Sequence, residues 1–111
     1  MPDPIQDLPP ALAAWFALGE QADEAALAAC FTPDAVVRDE GSEHRGVSAI
    51  ADWRRESKAQ TQFTARPIAL HERDGRLVVA AEVSGNFPNS PVTLDHAFTL
   101  SADRIATLEI G

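Results

Sequence analysis

Apolar positions recur first at helical spacing and later at every second residue. Leu12, Trp15, Phe16 and Gly19 follow one another at i, i+3, i+4 and i+7. Pro9 and Pro10 precede them and suit the first turn of a helix, where a missing N–H costs little. Asp23 is a suitable N-cap for a second helix, with Leu27, Cys30 and Phe31 as its apolar stripe. Thr32-Pro33-Asp34 ends it, because proline disfavours helix at the residue before it. Ala35 to Arg38 reads as a short strand stopping at Asp39-Glu40-Gly41, and His44 falls in a polar loop. Gly46 opens a third helix with Val47, Ile50, Ala51 and Trp53 as candidate buried positions. Arg54, Arg55 and Lys58 read as its wet face.

From Gln62 the period is two. Residues 62–73 alternate weakly, and Asp74-Gly75 is the strongest hairpin signal in the chain. Leu77, Val79, Ala81 and Val83 share one face of the next strand. A turn over 86–91 leads to a third long strand on which Val92, Leu94, His96, Phe98 and Leu100 share a face. Ala102-Asp103 turns into a last strand, Arg104 to Ile110. The predicted fold class is α+β: three helices, then a four-stranded antiparallel meander with a short early strand, the helices covering one face. One domain spans 1–111, with 1–8 as an N-terminal tail.

Composition narrows the classes. The chain has 111 residues, 45% hydrophobic and 23% charged, which is globular composition rather than disorder. No run approaches the ~20 apolar residues that span a bilayer. Met1 to Asp7 lacks the basic start of a secretory leader, so a cytoplasmic protein is expected. A net charge of −8, from 17 acids against 9 bases, argues against nucleic acid and anionic membrane as partners. Cys30 is the single cysteine and reads as a small core residue. His44, His71 and His96 show no metal-ligand spacing, and no phosphate loop, dinucleotide fingerprint or nucleophile elbow is present.

Few residues remain to carry chemistry. Asp39 ends a strand at a loop, where aspartate is also common for backbone reasons. Asp95 lies inside a strand beside Leu94, Ala97 and Phe98, although aspartate is depleted in strands. Buried, it needs a partner or a proton; the alternative is a solvated face shared with Thr93 and Thr99. His96 points the other way and reads as a structural or interface histidine. Glu43-His44 reads as part of a solvated loop near Asp39. Trp15 and Phe16 read as core, though an indole N–H is also a donor.

The run Phe31-Thr-Pro-Asp-Ala-Val-Val-Arg-Asp39, then Gly41-Ser-Glu-His-Arg-Gly46, Ala49-Ile50 and Trp53, resembles the nuclear-transport-factor-2-like superfamily. Within it the chain is similar to Δ5-3-ketosteroid isomerases and SnoaL-like polyketide cyclases. The strand Leu94-Asp95-His96-Ala97-Phe98, followed by Arg104-Ile105 and Leu108, resembles the isomerase strand that carries a second aspartate. The likeness runs from about residue 11 to 110. It implies helices on a curved, mostly antiparallel sheet forming an apolar conical pocket, an architecture also called cystatin-like. Position by position, it puts a general base on Asp39, a protonated, hydrogen-bond-donating acid on Asp95, and the isomerase tyrosine on Trp15. The chain contains no tyrosine, and an indole is a much weaker acid than a phenol.

The expected function is therefore cofactor-free proton transfer on a small apolar carbonyl compound, as in an isomerase or cyclase, with Asp39, Asp95 and Trp15 lining one pocket. No metal or organic cofactor is needed. A second class stays open: a non-catalytic module of the same fold that binds a hydrophobic ligand or dimerises. With Asp95 facing the pocket, the row Leu94, His96 and Phe98 faces outward. That row and the superfamily resemblance together imply a homodimer through the sheet face, burying Leu94 and Phe98 with His96 in or near the interface.

Overall fold

The computed structural model describes residues 8–18, 24–39, 41–60 and 63–111. Helix α1 spans Pro10–Ala17, with Pro9 as N-cap and Pro10 in its first turn. It buries Ala11, Leu12 and Trp15 and ends where Leu18 turns extended and donates to the Trp15 carbonyl at 3.3 Å. Helix α2, Glu24–Cys30, buries Leu27 and Cys30 one turn apart. The expected cap Asp23 lies outside the described residues, as do 1–7 of the expected tail; Leu8 packs against the core.

Strand β1 follows directly, Phe31–Asp39. Its pairing slips between Phe31 and Val36, around Pro33, which has no N–H to give to a ladder. Strand β2, Ser42–Arg45, pairs antiparallel with β1, so Asp39 stands opposite Ser42 at the hairpin end. The sequence pattern predicts a loop here. Ser-Glu-His-Arg has no apolar alternation, and only His44 is half-buried. Gly46, at φ +89°, donates to the Ala35 carbonyl at 2.8 Å and launches α3, Val47–Gln60. Ile50 and Ala51 of α3 are buried in the core.

Strands β3, Phe63–Arg73, and β4, Arg76–Gly85, form the hairpin expected at Asp74-Gly75, both of which take positive φ. Strands β5, Val92–Ser101, and β6, Arg104–Ile110, turn through Ala102 and Asp103, again both at positive φ. The sheet order is β2-β1-β6-β5-β4-β3, with β1 and β6 parallel and every other pair antiparallel. The result is the expected α+β fold: three helices on a curved, open, mostly antiparallel sheet, of six strands rather than five. Among the described residues no helix is long and apolar enough to cross a membrane.

Register sorts the side chains onto two faces. Toward the helices point Val37 and Asp39 of β1, Leu108 and Ile110 of β6, His96 and Phe98 of β5, and Leu77 and Val79 of β4. The opposite face carries Arg38, Glu109, Ala97, Thr99 and Asp95, with ion pairs Arg38–Glu43 and Arg66–Glu82. This corrects the expected orientation of β5. Phe98 is fully buried in the chain's own core and His96 is buried beside it, so the apolar row faces inward and Asp95 is exposed. Phe98 has no surface left to give to a dimer, and His96 is not an outward-facing residue.

Candidate functional site

Asp39 is the last residue of β1, half-buried, with its side chain on the helix-covered face. Its Oδ2 accepts a hydrogen bond of 3.2 Å from the indole Nε1 of Trp53 in α3. The Trp53 ring stacks on Trp15, with centroids 6.1 Å apart and planes 12° apart, and lies 5.7 Å from the His44 ring. Trp15 meets Phe31 edge-on at 5.5 Å. Arg54 is not on a wet face: its guanidinium lies 5.1 Å from the Trp15 ring centroid, and Nη2 donates to the Leu18 carbonyl at 3.1 Å. Arg55 is exposed and pairs with Asp52 one turn away. The Lys58 side chain lies outside the described residues.

His96 occupies the same inner face. Asp39 pairs across to Ile110, and Ile110 to His96, so one strand separates the two. Two strand spacings put their backbones about 10 Å apart, with Ile110 between them. Phe16 of α1 and Phe98 flank the imidazole, with centroids at 5.4 and 6.4 Å. Its Nδ1 lies 3.3 Å from the Leu94 carbonyl. A carbonyl only accepts, so Nδ1 carries the proton and Nε2 keeps its lone pair. Burial holds the His96 pKa below the usual histidine range, against the opposing pull of the Leu94 carbonyl and of the Asp39 and Asp95 charges. At neutral pH His96 is therefore an uncharged acceptor.

The structure brings Asp39 and Trp15 into one cluster and leaves Asp95 out of it. Asp95 is exposed on the far face, opposite Ala80, and its backbone exchanges two 3.0 Å hydrogen bonds with Gly111. Trp15 does not approach Asp95. The indole that donates to a carboxylate is Trp53, and the carboxylate is Asp39. Glu43 is exposed and lies outside the cluster; hydrogen bonds from Arg45 and Arg38 hold its pKa below the usual carboxylate range. Its neighbour His44 turns inward.

A family model for the SnoaL-like domain matches residues 12–107. The chain belongs to the SnoaL-like family, within the nuclear-transport-factor-2-like superfamily. A proposed polyketide cyclase from Sinorhizobium meliloti is 42% identical in sequence and superposes with a TM-score of 0.87, over 96% of this chain and 97% of that one. A protein of ketosteroid-isomerase-like fold from Catenulispora acidiphila, solved with trimethylamine, is 16% identical, with a TM-score of 0.76 over 93% and 85% of the two chains. A SnoaL-like protein from Jannaschia, also a proposed polyketide cyclase, is 14% identical, with a TM-score of 0.75 over 100% and 88%. The last two likenesses show the fold. No curated protein matches the chain.

Two residues on this face, His96 and Trp53, are not singled out for chemistry by the sequence pattern. His96 shares its strand parity with Leu94 and Phe98, and an apolar row seeks the core. That alone points His96 inward. Trp53 stood among the expected buried positions, but its bond to Asp39 depends on α3 crossing the end of β1, which no local spacing reveals.

Proposed function

We propose that this SnoaL-like protein moves a proton on a small apolar carbonyl compound without a cofactor. The observation that carries the reading is the placement of Asp39 and His96 on one face, beneath helices that supply Trp15, Phe16 and Trp53. Asp39 takes a proton from the carbon next to a carbonyl and returns it there or at a conjugated carbon. His96 offers Nε2 as an acceptor to a substrate hydroxyl or enol and so orients the reacting carbon. Aromatic rings on α1, α3 and β5 give a planar apolar substrate its contact surface.

The donor set narrows the substrate. Without a tyrosine, and with Asp95 on the far face, neither neutral acid of the isomerase pattern is available to stabilise an enolate oxygen. A simple ketone needs that help. A 1,3-dicarbonyl compound needs far less, because its second carbonyl delocalises the charge, and its enol O–H suits an acceptor at His96.

The keto–enol interconversion of 2-acetyl-1-tetralone, followed by stopped-flow absorbance, tests the proposal. The protein accelerates it, and Asp39→Asn lowers kcat by about 100-fold or more, the scale of a positioned general base. His96→Phe chiefly raises KM. A probe that binds without being interconverted favours the non-catalytic binding module instead.

A further inference from the structure

Asp39 is the last residue of its strand, with only the hairpin turn beyond it. Ser42 and Ile110 pair with it on either side, but the Asp39 carboxylate keeps two side-chain torsions of its own. The hydrogen bond from Trp53 removes that freedom, and it engages Oδ2 alone. The donor is itself held. Trp15 from α1 and His44 from β2 both lie against the Trp53 ring, at 6.1 and 5.7 Å. Arg54 covers Trp15 in turn and is tied to the Leu18 carbonyl. The main-chain bond from Gly46 to Ala35 places the start of α3 against β1.

We infer that Trp53 is a positioning residue for Asp39: its indole N–H, held by Trp15 and His44, fixes the carboxylate so that Oδ1 meets the substrate. The inference rests on the proton-transfer reading above and adds a residue that never touches the reacting atoms. A group that orients a base changes the fraction of bound substrate in reactive geometry, and so acts on kcat more than on KM. Misplacing a base by a fraction of an ångström costs rate while leaving most apolar contacts intact.

Trp53→Phe keeps an aromatic ring in the stack and deletes the N–H. With 2-acetyl-1-tetralone as probe, kcat falls about tenfold, the effect of one lost hydrogen bond to a charged group, and KM stays within about twofold. In an Asp39→Asn background the same change costs nothing further, because the group it positions has gone. An unchanged kcat, a loss carried by KM, or a full additional loss in the double variant overturns the inference. A second measurement needs no turnover and no Trp53 variant. In the wild-type protein the Trp53 indole N–H proton resonates downfield, and Asp39→Ala moves it upfield while the Trp15 indole shifts less. No movement at Trp53 overturns the clamp. If the wild-type protein leaves the probe unchanged, proton transfer is what fails, and the indole resonance still decides the clamp.

Discussion

Asp39 and Asp95 are both strand aspartates with backbones two strands apart, yet they belong to different environments. Asp39 shares its face with Val37, Ile110 and His96, under the helices, and meets an indole donor. Asp95 shares its face with Ala97 and Thr99 and meets water. The difference is one of parity. In a strand a shift of one residue exchanges core for solvent, so the identity of the residue decides less than its place in the alternation. The neighbour of Asp95 shows the same rule from the other side: His96, one position on, is buried, uncharged and in line with Asp39.

The widest effect that tests this division is on stability. Phe98→Ala empties a fully buried site and costs about 3–5 kcal/mol by denaturant titration. On the outward face Thr99→Ala loses one side-chain hydrogen bond, the 2.6 Å contact with Thr107, and costs about 1 kcal/mol. Equal costs at 98 and 99 would break the assignment of faces. A smaller effect comes from His96. Its folded-state pKa lies below the unfolded value of about 6.5, so below that pH the unfolded chain binds the extra proton first. Stability is therefore full above about pH 6.5 and falls as the solution is acidified. His96→Phe makes that fall shallower below about pH 6.5; parallel curves for the two proteins would contradict a buried neutral histidine. The smallest change belongs to Asp95. As an exposed strand residue with no side-chain partner among the described residues, Asp95→Ala shifts stability by at most about 0.5 kcal/mol.

Much of the fold was legible because it rests on local chemistry. Pro9-Pro10 starts α1, and Gly46 admits the positive φ that launches α3. Asp74-Gly75 adopts the turn that matches strand twist. Strand β2 was not legible, since an edge strand of polar residues carries no apolar alternation. Alternation divides β5 into two faces as expected, but the structure reverses which of them faces the helices. Likeness to the isomerases put Asp95 inside, whereas the apolar row Leu94, His96 and Phe98 asked for the opposite. Burial of Phe98 outweighs a family position that no side chain among the described residues supports. Asp39 could be singled out from its strand end and its motif. Its donor could not, because Trp53 reaches it from 14 residues away through the crossing of helix and strand.

Comparing Asp39→Asn and Asp95→Asn in the stopped-flow assay tests the proposed division of roles between the two aspartates. Each change removes one carboxylate and keeps its shape. We expect a loss of about 100-fold or more in kcat for Asp39→Asn and a rate within about twofold of wild type for Asp95→Asn. A comparable loss in both variants, or a loss confined to Asp95→Asn, would contradict it.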